Sequence, residues 1–304
     1  MNKKLLFISF AFTALMCYAQ DTIPIIALDE VVTTGTRAAT DARLLPVTVS
    51  SIDAATLTER QETNILPTLT EQVPGLFVTQ RGVMGYGVST GGSGGIKVRG
   101  IGGAPNTDIL VLIDGLPQYA GLYGHPIADN YQTQMAERVE VIRGPASLYY
   151  GSNAMGGVIN IVTHRPKTDT VLTNIHLQAG SYYSLDAGIS NQLRKGKWTE
   201  AVGFNYVRTD GHRDNMKFDQ SSGFARLGYE IDNNWSVNAS GNIAYFNTAN
   251  PGTVSAPILE SHQHILRGMA TVSVEDTYEN VSGAIRAYYS GGRHNINDGH
   301  QEDA

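Results

Sequence analysis

The fold class predicted is an α+β domain followed by antiparallel transmembrane β-barrel strands, about seven of them and therefore an incomplete barrel. Three observations predict it. Residues 137–166, ERVEVIRGPASLYYGSNAMGGVINIVTHRP, read as a strand, a glycine-rich turn and a second strand. From Asp169 to Ala304 the chain alternates apolar and polar residues at period two, in segments of about ten residues. Ahead of both, Met1–Ala19 has the make-up of a secretory signal.

In the signal, Lys3 and Lys4 supply positive charge, Leu5–Met16 is the apolar run, and Ala19 is a small residue suited to cleavage. The apolar run is too short for a membrane anchor. Lipidation at Cys17 is the other reading, but bulky Met16 stands where lipidation needs a small residue, so cleavage after Ala19 is favoured. Cys17 is the only cysteine, which leaves the mature chain without disulfides or thiol chemistry. Of 22 basic residues, all but Lys3 and Lys4 remain after cleavage, facing 28 acidic ones with no basic stretch among them. That balance argues against nucleic-acid binding. No run of apolar residues is long enough for a transmembrane helix.

Residues 20–38 read as a linker, extended over Gln20–Ala27 around Pro24. Within it, Leu28, Asp29, Glu30, Val31, Val32, Thr33 and Thr34 form a β-prone segment near a free end. Such a segment cannot bury both faces alone and suits addition to another sheet's edge. The other reading is the first strand of the domain that follows.

That domain is expected over residues 39–167. Pro46–Ser50 reads as a short strand. Asp53 is a candidate N-cap for Ala54–Glu59, and Asn64 for a second helix, Ile65–Gln72, stopped by Pro74-Gly75. Leu76–Thr79, Ile96–Gly100 and Asp108–Ile113 read as strands, the last running into the turn dipeptide Asp114-Gly115. Glu137–Ile142 is a β-branched, alternating strand ended by Gly144-Pro145. Ala146–Tyr150 makes a helical turn, and Val158–Thr163 is the returning strand.

The pieces LTEQVPGLFV, IKVRG and DILVLIDGLP, followed by RGPASLYYGSNAMGGVINIVT, stand in one order. In that order they closely resemble the plug domain of TonB-dependent outer-membrane transporters, over roughly residues 28–167. The resemblance implies an outer-membrane receptor rather than an enzyme, with no resident cofactor. Its partners would be TonB, outer-membrane lipid and a small chelate ligand such as an iron-siderophore, cobalamin or haem. Leu28–Thr34 would be the TonB box, adding as a strand to TonB, which then pulls the plug aside. Arg99 and Arg143 match plug arginines that pair with barrel glutamates; a charge inside a lumen needs such a partner. The loops Gly82–Gly95 and Tyr119–His125 should face outward, where Tyr86, Tyr119, Tyr123 and His125 are placed to stack on or hydrogen-bond a ligand. Loop aromatics without a specific role are the alternative for each.

Two enzyme-like signals are weaker. Gly91-Gly92-Ser93-Gly94-Gly95 matches a nucleophile elbow in letters only, because a glycine-rich loop precedes it and a strand follows. His262 and His264, two apart, would share a strand face; a metal pair and a polar strand end are both open, the second favoured.

Residues 168–304 carry strands expected near 171–179, 183–193, 198–208, 220–231, 234–247, 263–275 and 278–291. Leu185, Ala187 and Ile189 alternate with Asp186, Gly188 and Ser190, and the later strands repeat the pattern. Lys195-Gly196, Asp232-Asn233 and Asp276-Thr277 are short turns, while Gly211–Asp219 and Pro251–Ser261 fall in longer connections. Short periplasmic turns and long outer loops are what a membrane barrel requires. Seven strands cannot close, and transporters of this kind have roughly 22 strands around a plugged lumen, so a fragment is expected. A plug module that binds or signals without transport, and a soluble β-rich adhesion protein, are the rival functions.

Overall fold

Polar residues bury themselves and apolar ones face outward over the second half of the molecule, so its fold is organised inside out relative to a soluble protein. The computed structural model describes residues 47–79, 94–103, 107–118, 128–279, 281–297 and 299, and the backbone of two short segments at 31–32 and 40–41. The expected signal, most of the expected linker, and residues Tyr86, Ser93, Tyr119, Tyr123 and His125 lie outside these.

At the N-terminal side, β1 (Val31–Val32) pairs antiparallel with β2 (Thr40–Asp41), Val31 opposite Asp41. Then β3 (Val49–Asp53) leads into α1 (Ala54–Glu59). Asp53 accepts from Thr56 N at 2.8 Å, satisfying an orphan donor of the first turn, and this bond holds its carboxyl below the usual range. In the same way Asn64 Oδ1 accepts from Leu66 N at the start of α2 (Ile65–Gln72). Ile65, Leu66 and Leu69 on α2 are fully buried against the domain's sheets.

Two sheets build this domain. One is small: β4 (Leu76–Val78), β5 (Ile96–Val98) and β6 (Ile101–Gly103), antiparallel in that order. The larger joins β3, β7 (Ile109–Ile113), β8 (Leu116–Pro117), β9 (Ala136–Arg143) and β10 (Gly157–Thr163), in the order β3-β9-β10-β7-β8. A short helix, α3 (Ser147–Tyr150), sits between β9 and β10. β10 runs parallel to β7 and antiparallel to β9. A central parallel strand is covered on both faces, which is why Ile109–Ile113 is apolar at every position and buried at every position. The paired glycines before VINIVT have a steric reason. A Cβ on Gly157 would collide with Ile142 O of β9, and one on Gly156 would meet the side chains of Ile109 and Ile101.

Seven long strands follow as one antiparallel sheet in sequence order: β11 (Thr170–Gly180), β12 (Ser184–Lys195), β13 (Trp198–Thr209), β14 (Phe218–Glu230), β15 (Trp235–Thr248), β16 (His262–Thr277) and β17 (Ser282–Asn297). Each reaches or exceeds the 9–11 residues or so that a tilted strand needs to cross a bilayer. On the face towards the N-terminal domain Asp186, Asn205, Gln220, Arg226, Thr271 and Ser273 are buried. On the other, Phe204 is 52% exposed, Ile243 53% and Val272 55%. That is the polarity of a wall between lipid and a filled lumen. Rings mark the short-turn end: Trp198 lies 4.7 Å from Tyr229 between centroids, and Trp235 Nε1 donates to Tyr278 OH at 3.0 Å.

Expected and observed wall strands differ most in β17, which is Ser282–Asn297 rather than 278–291. β16 runs through Asp276-Thr277, so the expected turn dipeptide is strand, and the turn is Tyr278–Val281, closed by Tyr278 N to Val281 O at 2.8 Å. The next turn back is set by Asp232, whose carboxylate accepts from Asn234 N and Trp235 N, both at 2.8 Å.

Candidate functional site

The surface between the N-terminal domain and the wall sheet is where chemistry concentrates, and its centre is a turn. β7 ends at Asp114 (φ 49°) and Gly115 (φ 79°), both left-handed, as a tight two-residue hairpin requires. β10 clamps this turn: Gly115 N donates to Asn160 Oδ1 at 3.0 Å, and Thr163 donates from N to Asp114 Oδ1 at 2.9 Å and from Oγ1 to Asp114 Oδ2 at 2.6 Å. Asn160 and Thr163 thereby have structural duties inside the VINIVT motif.

The clamp aims the Asp114 carboxylate at the wall. Arg226, an inward residue of β14, donates from Nη1 to Asp114 Oδ2 at 2.9 Å and from Nη2 to Asn238 Oδ1 at 3.2 Å. Beside it, Arg165, just past β10, meets Glu275 of β16 at 3.0 Å, and Arg286 of β17 meets the same carboxylate at 3.2 Å. Ser273 Oγ also donates to Glu275, and Glu137 accepts from Arg165 N at 3.1 Å. Three arginines and two carboxylates line one small pocket with Ser240, Met269 and Thr271. Arg226, Asp114 and Glu275 are largely shut off from water, and charges so placed persist only when paired, so the domain carries the complement of the wall's own charges.

Further hydrogen bonds, one of them to a carboxylate, extend the interface. Gln220 donates to Asp129 O at 2.8 Å, Ser222 to Gln132 Oε1 at 3.1 Å, Gln118 to Met269 Sδ at 3.0 Å, and Thr63 to Asp186 Oδ2. Tyr131 is fully buried on the domain side, where loss of solvent pushes its phenol pKa up. Water can replace these hydrogen bonds and ion pairs at modest net cost per bond, while Ala201, Phe224 and Met269 of the wall add apolar contact by packing into the domain's buried core. The domain's own core, by contrast, is apolar and close-packed. Separation along this interface is thus chemically easier than unfolding of the domain core.

At the long-loop end, two connections are tied together. Asn215 Nδ2 donates to Ile258 O at 2.8 Å, Arg213 Nη1 to Gly252 O at 3.2 Å, and Ala249 N to Lys217 O at 3.0 Å. Inward-facing Val207, Phe218, Phe246 and Ile265 form a buried apolar cluster there, a break in the polar inner face that the alternation alone does not signal.

Among the residues expected to function, Arg99 and Arg143 come to one place, flanking Pro74-Gly75. Arg99 N donates to Gly75 O at 2.7 Å, and Arg143 Nη1 to Pro74 O at 3.4 Å. Among the described residues neither is in an ion pair, and Arg143 Nε is buried without a partner. Among the described residues, Asp114–Arg226 and Arg165–Glu275 are charge pairs across the interface, and sequence reasoning missed both. Asp114 was visible as a turn residue, and Arg226 had one signal, a charge on the polar face of a barrel strand. Of Leu28–Thr34, Val31 and Val32 are described, as β1; the remainder lie outside the described residues, as do Tyr86, Tyr119, Tyr123 and His125.

Residues 41–158 match the family model of the TonB-dependent receptor plug domain. Among solved structures, the chain is similar to the siderophore receptor PirA from Pseudomonas aeruginosa (22% identity, TM-score 0.60, covering 82% of this chain and 41% of that one). It is similar too to the ferripyoverdine receptor of the outer membrane of the same organism (15%, TM-score 0.71, 88% and 37%). The ferric yersiniabactin uptake receptor FyuA from Yersinia pestis gives 18%, TM-score 0.68, 84% and 42%. The chain spans about two-fifths of the length of these proteins.

Proposed function

We propose that this chain, a TonB-dependent receptor in its plug domain and partial barrel, serves energy-coupled uptake of a scarce nutrient across the outer membrane, as a small chelate. The observation that carries the reading is the inside-out wall: a polar sheet face filled by the plug through Asp114–Arg226 and Arg165–Glu275, and an apolar face turned outward. A soluble adhesion protein would instead bury that apolar face in its own core.

The ligand class we favour is an iron-siderophore, since the similar structures include a siderophore receptor, a ferripyoverdine receptor and a ferric yersiniabactin uptake receptor. Cobalamin and haem remain within the same chemistry of bulky metal chelates. In this reading the ligand meets the outer loops and the plug residues Tyr86, Tyr119, Tyr123 and His125. TonB takes Leu28–Thr34 as an added strand and pulls. Much of the plug's hold on the wall is polar and exchangeable with water, so a pull opens that contact at modest cost per bond while it works on the plug from its N-terminal edge.

The test is Val32→Pro, made in the receptor and followed by two measurements. Proline removes an N–H and fixes φ, which blocks strand addition. Ligand binding to whole cells should be unchanged while accumulation inside falls to background. Unchanged accumulation overturns the assignment of the coupling segment; parallel loss of binding points to a structural strand of the plug.

A further inference from the structure

The outward face of the wall carries a pair of histidines whose hydrogen bonds differ from those of an ordinary polar strand end. His262 and His264 stand on one face of β16, at the long-loop end, one step beyond Leu266 and in line with Val272. Both are exposed, and their rings are 5.4 Å apart between centroids at 62°. His262 Nδ1 lies 3.3 Å from Glu260 O, and His264 Nδ1 is hydrogen-bonded to Asn247 Oδ1. Both partners are oxygens without a hydrogen to give, so in each ring Nδ1 carries the proton and donates it.

The Asn247 amide is itself fixed. Its Nδ2 donates to Asp219 Oδ2 at 2.9 Å, which turns Oδ1 towards His264. A carboxylate thus orients an amide, the amide orients an imidazole, and the neutral tautomer that results leaves the Nε2 lone pair outward. Among the described residues neither Nε2 has a hydrogen-bond partner. This is the arrangement by which metal-binding histidines are held: the far nitrogen donates to an oxygen and the near one is left basic.

We infer that His262 and His264 form a two-imidazole site for a borderline divalent transition ion, Cu²⁺, Ni²⁺ or Zn²⁺, with Asn247 and Asp219 as positioning residues. Metal–nitrogen bonds of about 2.0–2.1 Å place two adjacent coordinated rings roughly 5 Å apart between centroids, close to the 5.4 Å separation of this pair. Imidazole nitrogen selects these ions over Mg²⁺ and Ca²⁺, with Cu²⁺ bound tightest. Water completes the shell, so the ion exchanges freely. Because the face points away from the lumen, the site lies off the ligand's path through the barrel, and it joins the end of the long connection at Glu260 to the rim of the wall.

The experiment uses the full chain in detergent micelles, titrated with Cu²⁺ and, separately, Zn²⁺ by calorimetry, with electron paramagnetic resonance of the Cu²⁺ form. Wild type should bind one ion more tightly than any other site on the chain, with two imidazole nitrogens in its spectrum. His262→Ala and His264→Ala should each weaken binding about tenfold or more and leave one nitrogen of the pair, and Asn247→Ala should weaken it about tenfold with both retained. Since all three side chains lie on the outer rim, the variants should keep the wild-type unfolding temperature without metal. Equal affinities in wild type and the His262→Ala/His264→Ala double variant overturn the inference, as does a Cu²⁺ spectrum lacking the paired nitrogens.

Discussion

Arg226 Nη1 lies 2.9 Å from Asp114 Oδ2, a bond between the barrel wall and a plug turn 112 residues earlier in the chain. Both side chains are nearly sealed, at 7% and 11% exposed. Removing one partner strands the other. Arg226→Met should therefore destabilise the folded chain by about 3–5 kcal/mol, and Asp114→Asn should cost a comparable amount. The double variant should lose clearly less than the two single losses together. Denaturant unfolding in micelles measures all three; strict additivity would mean that the pair does not couple plug to wall.

Gly157 has Ile142 O where a Cβ would stand. Gly157→Ala should force the start of β10 away from the end of β9 and cost about 1–3 kcal/mol. Proteolysis at the β9–β10 connection should speed up accordingly. An alanine variant with wild-type resistance would show that the strands shift without strain.

His164 follows β10, its N–H donating to Met135 O at 3.2 Å. Burial lowers its pKa below the ordinary 6.5, with Glu137 opposing. The unfolded chain therefore binds a proton that the folded chain refuses. This share of stability is fully present above pH about 6.5 and is lost as pH falls from there through the depressed folded value. His164→Gln should flatten that part of the curve between pH 7.5 and 5. A slope the variant leaves unchanged would assign the loss to another group.

Ile243 faces outward near the middle of β15 and is 53% exposed. If this face meets lipid, Ile243→Arg should disfavour bilayer insertion by about 2–4 kcal/mol, the depth-dependent cost of a lipid-facing charge. Vesicle folding yields would report it. Equal yields for Ile243→Arg and wild type would remove lipid from that face.

Much of the wall was legible because its signal is local and repeated. The alternation predicts β12 over 183–193, and it is Ser184–Lys195; it predicts β15 over 234–247, and that strand is Trp235–Thr248. The Asp53 and Asn64 caps are local as well. Strands β6 and β8 were missed, since three and two residues give no period to read. Arg99 and Arg143 were expected to meet barrel glutamates, and what the structure brings beside them is the backbone around Pro74. Asp114 and Arg226 were illegible as a pair: a bond between distant strands depends on how a domain sits inside a wall, and no window of sequence contains that.

Sheet order has a mechanical consequence. β3 lies at one edge of the five-stranded sheet, whereas β10 is held from both sides by β9 and β7. Val49 pairs with Ile142, and Asp53, at the other end of β3, lies towards the Asp114 turn. Tension entering at Val49 and directed towards that turn doubles back along β3 and strains its bonds singly, as a zipper opens, while β10 would have to be sheared against two neighbours at once. Stretching the molecule between Val31 and a point on the wall should give a first rupture at low force that releases β3 alone, with the β9-β10-β7 block parting later at higher force. A single rupture of the whole domain would show that the edge strand does not yield first.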